Sequence, residues 1–313
     1  MTNKTAFIFI ILSFFSTFAF AGAFSYRNYD SSGGEVAVVV NKTPERVIST
    51  NGSTTELLLR LGLENVMIGS SWQDNPVAPD LKTAYDSVPV ISDRYPSREL
   101  ALSLEPDFIY GWGSAFNPQA LGDVAYWHGL GVGTFVNRNS VLSPQRIRNF
   151  VLDIGEIGKI FGVSDRADAF LAQADARINK VREKVSAIET RKSVIIGEYL
   201  PNGIFLAYGG SSLADEMLAM AGGRNALPSG AILSPEGLAT NDPEVIVMIH
   251  MLKTDSEVAA HLDELRKHPV LKNLKAVRDG RVYPLPMAEA HCAGVRIPDG
   301  VERLASHLYP ELF

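Results

Sequence analysis

The sequence predicts an α/β fold: two Rossmann-like lobes with mostly parallel sheets, joined by one long α-helix, with a ligand cleft between them. Three observations carry this prediction. Short β-branched runs alternate with helical patterns in both halves of the chain, the grammar of open parallel sheets. Between them, residues 143–191 show helical periodicity only. Finally, SRELALSLEPDFIYGW (97–112) returns as SPEGLATNDPEVIVMIH (234–250). Ser97, Glu99, Pro106 and Ile109 reappear as Ser234, Glu236, Pro243 and Ile246, each 137 positions later.

Taken in order, the chain opens with Lys4, an apolar run from Ala6 to Phe20 and the small residues AFAGA, which together read as a cleaved export signal over residues 1–23. The run is short for a bilayer span and is interrupted by Ser13, Ser16 and Thr17. No cysteine stands at the cleavage point to take a lipid, so release as a soluble periplasmic protein is expected. The N-terminal lobe is assigned to 24–142. In it, RVIST (46–50) is a strand, and Ser53-Thr54-Thr55-Glu56 reads as a capping box that opens a helix closed by Gly62. VMIGSS (66–71), DFIYGW (107–112) and GVGTFVN (131–137) are further strands.

A helical segment is assigned to 143–191, with the linking backbone helix over about 164–189 and Ser164 as its N-cap. The C-terminal lobe, 192–313, resumes the alternation with SVIIGEYL (193–200), a capped helix from Ser212 to a double glycine, PEVIVMIH, the strand RVYPLP (281–286) and a last helix after Pro298. In each copy of the repeat a serine caps a short helix, a glutamate lies in its first turn, and a proline with an acidic neighbour starts a buried strand.

Composition narrows the function. With 29 basic against 35 acidic residues and no basic tract, nucleic acid is not an expected partner. A single cysteine, Cys292, allows no internal disulfide and no cysteine cluster for a metal. The nucleophile elbow G-x-S-x-G, the phosphate loop G-x-x-x-x-G-K and the zinc motif H-E-x-x-H are all missing from the sequence. GLGVGTF precedes a strand, whereas a nucleotide loop follows one.

The order and spacing of RVISTNGSTTELLLRLG, SLEPDFIYGW, the long helix, MLAMAGGRNAL, SPEGLATNDPEVIVM and VYPLP resemble the periplasmic substrate-binding proteins of ABC importers for cobalamin, ferric siderophores and haem. YPSRE and the C-terminal AGVRIPDGVERLASHLYPELF resemble a branch associated with iron siderophores or a deazaflavin precursor. The resemblance implies a non-catalytic, monomeric receptor that carries no intrinsic cofactor. It would deliver its ligand to an inner-membrane permease dimer. It also implies that one glutamate per lobe, Glu99 and Glu236, docks into arginine pockets of that permease; their alternative is simple stabilisation of helix N-termini.

Ligands in such sheets bind beyond the carboxyl ends of the strands, which nominates Asn51, Ser53, Trp72, Tyr110 and Trp112 in the first lobe. The second lobe offers Tyr208, His250, His291 and Arg296. The aromatic side chains suit a large, partly aromatic ligand, and the planar fork of Arg296 suits a carboxylate or catecholate. His250 and His291, with Cys292 and Glu289 nearby, form a candidate metal set; for each histidine the alternative is a hydrogen-bonded structural role. His128, His261, His268 and His307 read as solvated. The expected ligand is a ferric siderophore or another metal chelate. Cobalamin, haem and a deazaflavin precursor stand as alternatives within the class, and an exported metal-chelate enzyme as the alternative outside it.

Overall fold

In a computed structural model that describes residues 24–313, two five-membered sheet paths lie on either side of a helical layer. The first sheet comprises β3 (Val47–Ser49), β4 (Met67–Ser71), β5 (Val90–Ser92), β6 (Phe108–Gly111) and β7 (Gly133–Val136) in the order β5-β4-β3-β6-β7, parallel throughout. The second comprises β8 (Ser193–Tyr199), β9 (Phe205–Ala207), β11 (Ala231–Leu233), β12 (Val245–His250) and β13 (Val282–Pro286) in the order β11-β9-β8-β12-β13. The short β10 (Arg224–Asn225) also pairs with β8.

The repeat is visible in the register. Phe108 pairs with Val47 on the neighbouring strand, and its counterpart Val245 pairs with Val194. Ser97 accepts a hydrogen bond from the Leu100 N–H at 3.2 Å, and Ser234 accepts from Gly237 at 3.1 Å, so both short helices are capped alike. The residues before the two prolines, Glu105 and Asp242, both take positive φ, at 48° and 32°. Asp107 then accepts from the backbone of Glu45 and Arg46, and its counterpart Glu244 from Ser193, so each acidic residue ties its strand to the start of the next one. These are two copies of one device.

The helical layer consists of Ile147–Ile160 and the linking helix Ser164–Val185. At 22 residues the linking helix spans about 33 Å. Its N-cap is Val163 and Ser164 is its first helical residue, one position from the expected cap. A single buried cluster runs from Val47 and Phe108 through Ile154 and Ile178 to Val247 and Leu304, so both sheets share one core with the helices between them. The outer faces have cores of their own, with Ile109 and Trp127 in the first lobe and Ile246 and Leu265 in the second. Strands buried on both faces are what a parallel α/β sheet requires.

Two features depart from expectation. The second sheet is antiparallel at β8-β9 and β9-β11. The connection after β8 is a tight turn in which Leu200 N–H donates to Ile204 O at 2.7 Å, and a turn that short can only make a hairpin. The stretch around YDSSGGE is also a hairpin, β1 (Phe24–Tyr29) with β2 (Glu35–Val40), its turn held by the Asp30 carboxylate. It docks on β7 through Tyr26 O–H donating to Thr134 O at 2.7 Å and Asn28 donating to Val136 O at 3.1 Å. The expected export signal lies outside the described residues. Among the described residues no helix is long and apolar enough to cross a membrane.

Candidate functional site: an aromatic cleft between the lobes

The carboxyl ends of β3, β4 and β6 carry the first wall of the cleft. Asn51 is the N-cap residue of the helix Gly52–Arg60, and its side chain turns toward its own neighbours instead of capping. It donates to Ser53 Oγ at 2.8 Å and accepts from the Thr54 hydroxyl at 2.8 Å. Ser53 Oγ also accepts from the Trp112 indole N–H at 3.2 Å. Ser53 therefore positions Trp112, while Asn51 and Trp112 line the cavity. Trp72, just past β4, sits at φ 40° and packs against Tyr95 with ring centroids 4.5 Å apart. The Arg94 guanidinium lies 4.6 Å from the Trp72 ring on the exposed side.

The opposite wall comes from β9 and the loop after β13. Tyr208 stacks on His291 at 5.0 Å and 28°, and Trp112 meets the same imidazole at 5.8 Å. His291 is thus wedged between aromatic rings from both lobes. Its Nδ1 is buried with no hydrogen-bond partner, and burial pulls its pKa below the usual histidine value. The Tyr208 hydroxyl donates to Glu198, which fixes the ring, and burial pushes that phenol up.

Two cavities meet at His291. One, of about 190 Å³, is lined among others by Trp72, Asp74, Tyr95, Trp112 and Met287. The other, of about 470 Å³, is lined by hydroxyl, amide and glycine groups from 139–145 and 207–212. Asp74 accepts from the Cys292 thiol at 3.6 Å across the lobes, and burial raises the pKa of both groups.

Beside the cleft the lobes are laced together. Asn75 donates to His250 O at 3.1 Å and to Leu252 O at 3.2 Å, and it accepts from Ala288 N–H at 3.0 Å. The Lys253 ammonium is spent on the carbonyls of Gln73 and Asp74. Gly294 lies against the start of the first lobe's helix; a Cβ there would come within 2.9 Å of the Ser53 Cβ, closer than side chains pack.

This lacing reassigns three residues nominated from sequence. Arg296 does not face the cleft. Its fork holds Glu56, with Nε to Oε2 at 2.8 Å, and donates to Pro76 O at 2.5 Å. Glu56 is correspondingly no capping-box residue; it also accepts from Ala78 N–H at 3.0 Å. The pair is a buried ion bridge between lobes.

Tyr110 is also corrected. It lies two residues after Phe108 on β6, so the period-2 pleat puts it on the same inner face, fully buried and edge-on to Phe135 at 5.4 Å. His250 is nearly buried and lines neither cavity; its Nδ1 accepts from Leu252 N–H at 3.2 Å. Burial, then the charges of His261 and Arg303, lowers its pKa to about 4.

A metal centre built on His250 and His291 is not supported. Among the described residues no three His, Cys, Asp or Glu side chains gather to hold an ion. Glu289 is instead buried against Arg303. His128, His261 and His307 are half-buried, held respectively by Thr134, by Tyr199 O and by stacking on Tyr283.

Sequence reasoning missed Asp74, Tyr95 and the trough at 139–145. Asp74 was two residues from a nominated tryptophan, but the reversed backbone at Trp72 that turns this loop inward leaves no mark in the sequence.

Glu99 and Glu236 stand in the first turns of Arg98–Ser103 and Pro235–Asn241, both exposed. Each helix precedes a strand and runs antiparallel to it, so its N-terminus lies at the strands' carboxyl edge, the cleft side of its lobe. The hydrogen bonds from its own N–H and from Ser97 hold the Glu99 carboxyl below the usual range.

Comparison with known proteins agrees with this architecture. The curated relatives include an uncharacterised ABC transporter substrate-binding lipoprotein, YvrC, of Bacillus subtilis, 25% identical over 281 residues, 88% of this chain and 83% of that one. The vitamin B12-binding protein of Yersinia pestis is 24% identical over 209 residues, 65% of this chain and 69% of the relative. Among solved structures, an ABC-type Fe3+-hydroxamate transport system protein of Saccharomonospora viridis superposes with a TM-score of 0.74 at 20% identity, covering 91% of this chain and 99% of that one. The periplasmic binding protein family matches residues 47–288, and with its paired lobes and interlobe cleft this chain belongs to that family.

Proposed function

We propose that this chain captures a ferric siderophore or a related metal chelate between its lobes and delivers it to the permease of an ABC importer. The observation that carries the reading is His291 held between Trp112 and Tyr208, one ring from each lobe, where it lines both an aromatic slot and a polar trough. Such a cleft buries a broad apolar face and orients a polar remainder. Membership of a transport-binding family and likeness to an Fe3+-hydroxamate transport protein support it.

Delivery falls to Glu99 and Glu236. Two exposed carboxylates on repeated helix N-termini match a permease with two equivalent sites, where arginine pairs fix orientation. In this reading the chain acts as a monomer in the periplasm after loss of residues 1–23. The vitamin B12-binding relative favours a corrinoid as second reading.

The test is tryptophan-fluorescence titration of the mature protein with ferric hydroxamate, ferric catecholate, haem and cobalamin, corrected for ligand absorption. Saturable submicromolar quenching by one ferric chelate is expected. A response to cobalamin alone would select the second reading, and silence from all four would refute ligand capture of this class.

A further inference from the structure

The two cavities differ from an anion site in their charge. Among the described residues, none that lines them is a lysine or arginine. The one carboxylate in the aromatic slot is Asp74, and the one imidazole shared by both cavities, His291, is half-buried among aromatic rings with its Nδ1 buried and unpartnered.

The cations nearby are committed elsewhere. Arg296 is paired with Glu56. Lys253 is exposed and bonded to two carbonyls. Arg94 is exposed and lies over Trp72. Exposed charges of this kind are screened by solvent and salt. A ligand bearing several carboxylate or catecholate charges would lose water and find no buried partner for them. It would also meet Asp74. The trough, by contrast, is lined by the hydroxyls of Ser143, Ser211 and Ser229, which pair with uncharged donors and acceptors.

We infer that the cleft selects an uncharged or cationic ligand with a broad apolar face and a polar, hydrogen-bonding remainder, and discriminates against polyanionic chelates. For a ferric siderophore this means a neutral trihydroxamate over a trianionic tricatecholate. The inference rests on the ligand-capture reading above and reverses the sequence-based argument that an arginine in the cleft favours an anion.

The experiment compares Kd for a neutral ferric trihydroxamate and a trianionic ferric tricatecholate on the same mature protein, each at 20 and 300 mM NaCl. The neutral chelate should bind at least tenfold tighter, with a Kd that changes less than about twofold across that salt range. Asp74→Asn, close in shape, should tighten the tricatecholate at least threefold relative to the trihydroxamate, with an unchanged melting temperature as the check on folding. Equal or tighter binding of the tricatecholate overturns the inference while leaving ligand capture intact. Unaltered tricatecholate binding in folded Asp74→Asn overturns the part assigned to Asp74. Failure of both chelates, of haem and of cobalamin to bind overturns the capture reading itself.

Discussion

The two lobes are alike at the helix-strand units that carry Glu99 and Glu236 and unlike at the strands beside the cleft. Phe108 and Val245 share a register, Ser97 and Ser234 share a cap, and Glu105 and Asp242 share a rare backbone conformation. Beyond those elements the first sheet stays parallel, while the second folds back through the β8-β9 hairpin. That hairpin brings Tyr208 to the seam, where the first lobe presents Trp112. On the function proposed above, symmetry is kept where two equivalent permease sites would be met and lost where a single, asymmetric ligand would be held.

The lobes are also not independent. The Glu56–Arg296 bridge and a continuous core join them, so a large opening would expose a buried charge. Arg296→Met should destabilise the protein by about 3–5 kcal/mol in urea unfolding, because Glu56 is left buried without its partner. Glu56→Leu combined with Arg296→Met should recover most of that loss. If the single variant is as stable as the parent, the lobes are not held by this pair.

The likeness is tested by charge reversal. Glu99→Lys with Glu236→Lys should cut transport-coupled ATPase stimulation at least tenfold and leave ligand Kd within about twofold. Each single reversal should cost a similar amount, since the positions are equivalent. A loss confined to one lobe would break the comparison.

Acidification should act most strongly through His250, in the second lobe. His250 titrates near 4 in the folded protein against about 6.5 unfolded, so between those values the unfolded chain binds more protons. Stability should therefore be flat with respect to this group above pH 7 and fall as pH drops from 6.5 to 4. The loss is on the order of 1–2 kcal/mol once contact with solvent is allowed for. His128, His291 and His307, lowered by burial, act in the same direction. His250→Gln should flatten the profile in a pH series of thermal melts.

The smallest effect belongs to the first lobe. Tyr110 carries a buried hydroxyl without a partner, so Tyr110→Phe should leave ligand Kd unchanged and alter stability by no more than about 1 kcal/mol, upward if at all. A tenfold loss of affinity would return Tyr110 to the cleft.

The repeat, the linking helix and most of the parallel strands were legible because they rest on periodicity and local capping, which neighbouring residues declare. The β1-β2 hairpin and the antiparallel edge of the second sheet were not, since β9 and β11 are three residues each and too short for a period to show. In the site, Trp72, Trp112, Tyr208 and His291 could be found from their places just past strands or in the loop opposite. Tyr110 failed on strand parity. Arg296 failed because its partner lies 240 positions away, and no local pattern announces an ion pair that forms only when two lobes meet.

The central claim is that a ligand is gripped at the interlobe seam through His291, and it is tested by titrating parent and His291→Ala proteins with the ferric chelate that quenches tryptophan best. The account predicts saturable one-to-one binding by the parent and a loss of about 10–100-fold in the variant at an unchanged melting temperature. Equal affinity in the two proteins would place the ligand elsewhere and contradict the account.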